Sequence, residues 1–248
     1  MAFNPRSLIS IAFASLITAE FVALFFGAEM ISLSVYRVYH LAQMIFLIFA
    51  GWIVYRTVVK TRTRTHITET DHARIARFVL IGLVFSFIGD VINSKLIDLT
   101  SVTGIKQQVL LSIPVFAIAH ILYIRSFLIL SSFNVSKRTR IILLVLWPVL
   151  SVILWKSIVN PASALMVILS FPYAFMVTLM ALTSLRVPLA WGSIGYPTAV
   201  GGFLFLLSDS LIGWVLGREG SFAISQVIWF TYFAAQILIL RAVLIPVT

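Results

Sequence analysis

The chain of 248 residues has no cysteine and little charge. Without cysteine, disulfide bonds, thiolate nucleophiles and cysteine-ligated metals are excluded. Charged residues make up 10% of the sequence, whereas ordinary soluble domains have about 25%. Hydrophobic residues make up 61%, and the mean hydropathy is +1.09. This composition is that of an integral membrane protein.

The hydrophobic residues are grouped in eight segments, each close to the roughly 20 residues that a membrane helix needs. The sequence therefore predicts an all-α membrane protein, an eight-helix bundle that forms a single domain over residues 1–248. No connection is long enough for a soluble domain, so an active site must be built from the helices or their ends. The predicted spans are about 8–26, 38–59, 78–98, 108–130, 141–158, 162–184, 196–216 and 222–245.

The 18 basic residues outnumber the 8 acidic ones, and their distribution predicts an orientation. With the N-terminus in the cytoplasm, 13 of the 18 lie on the cytoplasmic side, as the positive-inside rule expects. Both termini are then cytoplasmic, and the net charge of +10 is an orientation signal rather than a sign of a nucleic-acid partner. A bacterial inner membrane is the expected location. The basic residues expected on the opposite side are Arg37, Lys95, Lys106, Lys156 and Arg218.

Two aspartates, Asp90 and Asp209, lie deep inside hydrophobic stretches that are otherwise uncharged. Each follows a glycine by eight residues, Gly82 in the first case and Gly201 in the second. A carboxylate at the centre of a membrane helix costs about 2.5–3.5 kcal/mol on insertion scales. A neutral serine or asparagine would hold helices together at lower cost, so we interpret both aspartates as functional.

The surroundings of the two aspartates indicate a weak internal repeat. Asp90 aligns with Asp209 at an offset of 119 residues, and His120 aligns with Gln236 at an offset of 116. Two units of four helices would enter the membrane in the same direction, related by a pseudo-two-fold axis along the membrane normal. We expect the repeat halves to be approximately 1–130 and 131–248, with both carboxylates facing a shared interior.

Helical spacing places further polar residues on the same faces of four predicted helices. Hydroxyl and amide groups can also simply bond helices together, and this alternative applies to each of them singly. As a group, they are the residues predicted to bind a substrate beside the carboxylates. They are Ser86, Asn93, His120, Tyr123, Ser208, Tyr232 and Gln236.

His120 is expected to hydrogen-bond beside the carboxylates. An alternative is that His120, Asp90 and Asp209 bind a divalent ion, but no close ligand spacing supports a metal site. The sequence also lacks a glycine-rich phosphate loop, a serine nucleophile elbow and paired zinc histidines. It therefore predicts neither a metal nor a cofactor.

The segments that contain these residues resemble the YhhN family. Residues 82–90 (GLVFSFIGD) and 116–123 (FAIAHILY) are similar to one block of that family, and residues 202–209 (GFLFLLSD) and 232–236 (YFAAQ) to a second. The length, the eight predicted helices and the order of the blocks also fit. The resemblance therefore covers nearly the whole chain.

One departure from the family pattern concerns the predicted second helix. The family usually has a Lys-Pro pair there, whereas this chain reads His40-Leu41-Ala42-Gln43-Met44. The departure bears on which substrate the protein accepts.

The resemblance implies a lysoplasmalogenase-like hydrolase, because members of the family include enzymes that cleave the vinyl ether bond of lysoplasmalogens. The partner would be a lysophospholipid within the bilayer, and the products a fatty aldehyde and glycerophospho-ethanolamine or -choline. No particular oligomeric state is indicated. By this resemblance, Asp90 and Asp209 are the catalytic carboxylates, and His120, Tyr123, Tyr232 and Gln236 line the site.

Acid–base chemistry by two carboxyl groups suits this reaction. Protonation on carbon gives an oxocarbenium ion that water captures, so one neutral acid and one ionised carboxylate are needed. Two carboxyl groups that share an apolar site tend to adopt these different protonation states. The main alternative is a proton-coupled lipid or small-molecule transporter, in which the aspartates carry protons. A metal-dependent lipid amidase or esterase and a purely structural membrane protein are further alternatives.

Overall fold

The computed structural model describes residues 7–18, 33–60, 67–105, 107–133, 135–159, 163–216, 218 and 221–247. This part of the chain is helical and contains no strand, which confirms the predicted all-α class. Its α-helices are α1 (Ser7–Thr18), α2 (Leu33–Val58), α3 (Glu69–Asn93), α4 (Thr100–Thr103), α5 (Val109–Leu130), α6 (Lys137–Ile158), α7 (Ala164–Ser184), α8 (Arg186–Trp191), α9 (Tyr196–Val215) and α10 (Phe222–Ala242).

Six stretches of the described residues are long and apolar enough to cross a membrane. One of them, Ala164–Val215, is 52 residues long and comprises α7, α8, a short 3₁₀ turn and α9. As one straight helix it would be about 78 Å long, against a hydrocarbon core of about 30 Å. Because α7 packs against α9, this stretch instead folds back on itself. The protein is thus a multi-pass membrane protein.

The eight-helix count and the orientation of the termini stay predictions. The first predicted span, 8–26, extends past the described helix α1, and residues 19–26 lie outside the described residues. The other seven predicted spans correspond to α2, α3, α5, α6, α7, α9 and α10, with boundaries that differ by up to about ten residues.

Hydroxyl side chains determine where four of the long helices begin. Each accepts a hydrogen bond from the backbone N–H three residues later, which satisfies a donor that the first turn of a helix leaves free. These caps are Thr68 before α3, Ser136 before α6, Ser163 before α7 and Ser221 before α10.

The two most extensive helix pairs are α3 with α5 and α9 with α10. Glycines permit both close approaches. A Cβ at Gly82 of α3 would overlap the Tyr123 ring of α5, and a Cβ at Gly201 of α9 would lie 2.9 Å from Cβ of Leu238 in α10. The equivalent glycines of the proposed repeat thus perform equivalent packing roles. About two turns further along, both helices bring their aspartates to the interior of the bundle.

Candidate active site

The aspartates of α3 and α9 border one cavity of about 360 Å³. Tyr232 and Phe116 form part of its inner wall. Its mouth lies where α3 and α9 end and where α2, α5 and α10 begin, so it is at one end of the bundle. We call it the carboxylate cavity. Its remaining lining residues are Tyr36, Arg37, Asn93, Ser94, Lys95, Gln107, Gln108, Val109, Ile212, Val215, Leu216, Ser225, Ile228 and Trp229.

Asp90 is 2% exposed and has a single hydrogen-bond donor among the described side chains. The hydroxyl of Tyr232 donates to its Oδ2 at 2.7 Å. Aromatic neighbours hold the Tyr232 ring, because Phe116 and Phe205 both meet it edge-on, with centroids 6.2 and 5.2 Å away. The position of the Asp90 carboxylate therefore depends on three other helices.

Asp209 is held by two donors. The hydroxyl of Tyr173 in α7 donates to its Oδ2 at 2.7 Å, and Nε2 of His120 lies 3.3 Å from the same oxygen. Nε2 of His120 is also 2.9 Å from the Tyr173 hydroxyl oxygen. Since the Tyr173 hydrogen is directed at Asp209, Nε2 must carry the imidazole proton for its contacts to be favourable. The side chain of Asp209 is 8% exposed, so it is less enclosed than Asp90.

The His120 ring is fully buried between two apolar side chains. Its Nδ1 lies 3.2 Å from Sδ of Met180, and the Phe205 ring meets it edge-on at 4.7 Å. Phe205 also contacts Tyr232, so one phenyl ring packs against the donors of both carboxylates. This packing couples the two halves of the site mechanically.

Three of the residues singled out in the sequence form a separate network that does not border the carboxylate cavity. Tyr123 donates to Oε1 of Gln236 at 2.7 Å, and its oxygen is 3.4 Å from Oγ of Ser86. All three are fully buried. The Gln236 amide nitrogen has no hydrogen-bond partner among the described residues. The network joins α3, α5 and α10 next to the carboxylates.

The other two predicted substrate-binding residues are placed differently. Asn93, in the last turn of α3, borders the carboxylate cavity. Ser208 is fully buried and does not border the cavity, and its hydroxyl donates to the carbonyl of Ile228 at 3.0 Å, which joins α9 to α10.

Tyr173 is a site residue that the sequence reasoning missed. It lies in a helix with no acidic or basic residue, so the search for polar faces on the aspartate-bearing helices and their partners passed over it. The available signal was a phenol beside Pro172 in the middle of the predicted span 162–184.

A second cavity continues the site between α5, α6, α7 and α9. It has a volume of about 70 Å³ and is lined mostly by apolar side chains. Tyr173 and Asp209 border it, so Asp209 lies between this apolar pocket and the carboxylate cavity. The apolar lining includes Ile113, Leu154, Ile158, Val159, Ala174, Val177, Leu206 and Ile212.

The segment of α2 that departs from the family pattern lies behind the cavity wall. The His40 ring is buried and stacks on Trp229, with centroids 4.4 Å apart and planes at 2°. Tyr36 meets it edge-on at 4.3 Å, and Nδ1 of His40 is 3.1 Å from Oε1 of Gln43. Because Tyr36 and Trp229 line the cavity, His40 acts on its shape through them.

No group of three or more histidine and acidic side chains in the described part of the chain could hold a metal ion. The contacts of Asp90 and Asp209 are instead those of two carboxyl groups with separate donor sets. Such an arrangement can deliver a proton from one group and stabilise a cation with the other.

Comparison with known proteins gives one match. A model of the YhhN family matches residues 42–243, which include both aspartates and all of their hydrogen-bond partners described above. No curated protein and no solved structure matches the chain.

Proposed function

The chain belongs to the YhhN family, and from this membership and the paired carboxylates we propose that it is a lysoplasmalogenase-like hydrolase. It cleaves the vinyl ether bond of lysoplasmalogens, giving a fatty aldehyde and glycerophospho-ethanolamine or -choline. The observation that carries the proposal is that Asp90 and Asp209 border one cavity, next to an apolar pocket. The family is itself associated with hydrolase activity.

The two carboxyl groups have different environments, which supports different roles. Asp90 is the more buried and has one donor, so it is assigned the role of the acid. Asp209 accepts hydrogen bonds from Tyr173 and His120 and is nearer to water, so it is assigned the role of the carboxylate that stabilises the cation. This pairing resembles the division of labour in two-carboxylate glycosidases.

The reaction follows from these roles. Asp90 transfers its proton to the vinyl carbon that is further from oxygen, and the remaining carbon–oxygen pair becomes an oxocarbenium ion. The Asp209 carboxylate stabilises that cation and accepts a proton from the water molecule that attacks it. The hemiacetal that results loses its glycerol oxygen as an alcohol and leaves an aldehyde. One water is consumed, and the proton taken up by Asp209 restores Asp90 through the cavity water.

The two adjoining cavities suit a lipid with an apolar chain and a polar glycerol headgroup. The first carbons of the chain lie in the apolar pocket, the vinyl ether lies near Asp209 at the junction, and the glycerol lies in the carboxylate cavity. A reacting bond placed between two carboxyl groups in this way gains from proximity as well as from acid–base catalysis.

Aldehyde release tests the proposal. Purified protein in detergent is incubated with a synthetic lysoplasmalogen, and the aldehyde is trapped and quantified. The proposal predicts release that depends on the protein. Folded protein that releases no aldehyde across substrates and pH, but carries lipid across vesicles in response to a pH gradient, would instead indicate a proton-coupled transporter.

A further inference from the structure

We propose that Arg37 and Lys95 form a phosphate-binding site at the mouth of the carboxylate cavity, and that they select single-chain lipids with a phosphate headgroup. Both residues border this cavity, Arg37 from the first turn of α2 and Lys95 just after the end of α3. The inference rests on the proposed function for the identity of the reacting bond. Phosphate binding by Arg37 and Lys95 does not itself depend on which bond reacts.

Neither basic side chain is neutralised within the described residues. The ion pairs there join Arg74 to Asp71 and His120 to Asp209, and neither involves Arg37 or Lys95. Arg37 is half-buried and therefore only partly hydrated, so an anion that reached it would interact more strongly than at an open surface. Two positive charges at one mouth, neither in an ion pair among the described residues, can bind the two free oxygens of a phosphate diester.

The backbone of Lys95 supports a role for its side chain. Its φ is +57°, and among the described residues it is the one non-glycine residue with a positive φ. Glycine or asparagine adopts this left-handed conformation most readily, and in other residues it costs about 1–2 kcal/mol. Ser94 stabilises the turn, because its hydroxyl donates to the Val91 carbonyl and accepts from the Leu96 N–H. A lysine at a position that suits glycine is explained if its positive charge binds the phosphate.

Helix ends leave a small net positive potential at the mouth, because three N-termini there are largely offset by the C-termini of α3 and α9. α2, α5 and α10 all begin at this end, and residues from the first turn of each line the cavity. The N-terminus of a helix carries a partial positive charge of about half a unit. Gln108, just before α5, is fixed by hydrogen bonds from its amide to the carbonyls of Ile92 and Ile97, so the wall near Lys95 is rigid.

The order of the three parts of the site agrees with the order of groups in the lipid. The basic mouth, the two carboxylates and the apolar pocket follow one another, with Asp209 at the last junction. A phosphate held at the mouth would leave the glycerol in the cavity and place the ether oxygen towards the carboxylates. Phosphate binding would thus set the register of the substrate.

A binding experiment separates this site from turnover. The probe is a radiolabelled saturated alkyl lysophosphocholine, which has no double bond to protonate, and its comparison is the matching alkylglycerol without phosphate. Full-length protein in detergent is expected to bind the phospholipid about tenfold more tightly, which corresponds to about 1.4 kcal/mol. Arg37→Gln and Lys95→Asn should abolish that preference and leave alkylglycerol binding unchanged. Asparagine suits the left-handed backbone, so Lys95→Asn removes the charge without straining the turn.

Lys156→Gln is the matched control. Lys156 is an exposed residue in the last turn of α6, expected on the same side of the membrane, and it does not border the cavity. Lys156→Gln removes one positive charge, as the other two substitutions do, and should preserve the preference for phospholipid over alkylglycerol. An equal loss in Lys156→Gln would assign the effect to general surface charge and overturn the site.

The remaining outcomes are equally decisive. Equal binding of phospholipid and alkylglycerol by the unaltered protein overturns the inference, and so does competition by inorganic phosphate that is as strong as competition by the lipid. If the preference is found but no vinyl ether is hydrolysed, the proposed function fails and the phosphate site stands. If vinyl ether is hydrolysed without any phosphate preference, the proposed function stands and the phosphate site fails.

Discussion

Tyr232 in α10 donates a 2.7 Å hydrogen bond to Asp90 in α3, across 142 residues of sequence. Asp209 is held in the complementary way by His120, which lies 89 residues earlier in α5. Each carboxylate is thus bound by a side chain from the opposite half of the chain. Neither half can form the site alone, and assembly of the bundle is what aligns the two acids.

Replacing either carboxyl group by its amide should abolish most of the activity. Asp90→Asn removes the transferable proton and Asp209→Asn removes the charge that stabilises the cation, so kcat should fall by about 10²- to 10⁴-fold in each. Aldehyde release under saturating lysoplasmalogen measures this, with size-exclusion profiles and thermal unfolding to check the fold.

Asp98→Asn is the control for that comparison. Asp98 is exposed beyond the end of α3, where hydrogen bonds from the Thr100 side chain and backbone hold its pKa below the usual range. The substitution removes an ionised carboxylate from the same end of the bundle but away from the cavity, so kcat should be unchanged. Near-normal rates in both Asp90→Asn and Asp209→Asn would contradict the mechanism.

The phenol donors should contribute less than the carboxylates they contact. Tyr173→Phe removes a donor to Asp209, and Tyr232→Phe removes the donor to Asp90. A hydrogen bond to a charged group contributes about 1.5–3 kcal/mol, so kcat of Tyr173→Phe should fall about 10- to 100-fold, with a smaller change in KM. Tyr196→Phe, at an exposed residue that starts α9, should have no effect. A similar loss in all three variants would show that the phenols act only on stability.

Close packing of α3 on α5 should be sensitive to one methyl group. In Gly82→Ala the new Cβ overlaps the buried Tyr123 ring, so the variant should lose about 1–3 kcal/mol of stability and disturb the Tyr123–Gln236 hydrogen bond. Gly51→Ala is a milder comparison, since its Cβ meets the flexible Leu83 side-chain end at 3.1 Å. Thermal unfolding in detergent should rank Gly82→Ala well below Gly51→Ala, and the reverse order would contradict the packing.

The sequence was most informative at residues whose burial in the membrane has a large free-energy cost. A charge in an apolar span has a large free-energy cost, so Asp90 and Asp209 could be identified without a structure, and helical periodicity led to His120 and Tyr232 on the neighbouring helices. Residues with a low cost of burial gave weaker signals. Ser208 was predicted to lie on the face of Asp209, but adjacent residues point about 100° apart on a helix, and the Ser208 hydroxyl donates to the Ile228 carbonyl instead.

Contacts between helices that are distant in sequence could not be predicted. Tyr173 reaches Asp209 because α7 packs against both α5 and α9, and periodicity along one helix contains no information about its neighbours. The pairing of Arg37 with Lys95 at one mouth depends likewise on how α2 and α3 are arranged. The all-helical class, by contrast, follows from local composition and is confirmed, while the count of eight spans stays a prediction.

Hydrolysis in deuterated water tests the central claim most directly. If the Asp90 carboxyl group delivers a solvent-derived proton to carbon, the fatty aldehyde released from a lysoplasmalogen should carry one deuterium on the carbon next to the carbonyl. Mass spectrometry of the trapped aldehyde measures it, with an authentic aldehyde incubated alongside to correct for exchange. The account predicts this label with the unaltered protein and no aldehyde above background with Asp90→Asn. Aldehyde without deuterium at that carbon, or equal release by the folded Asp90→Asn variant, would contradict it.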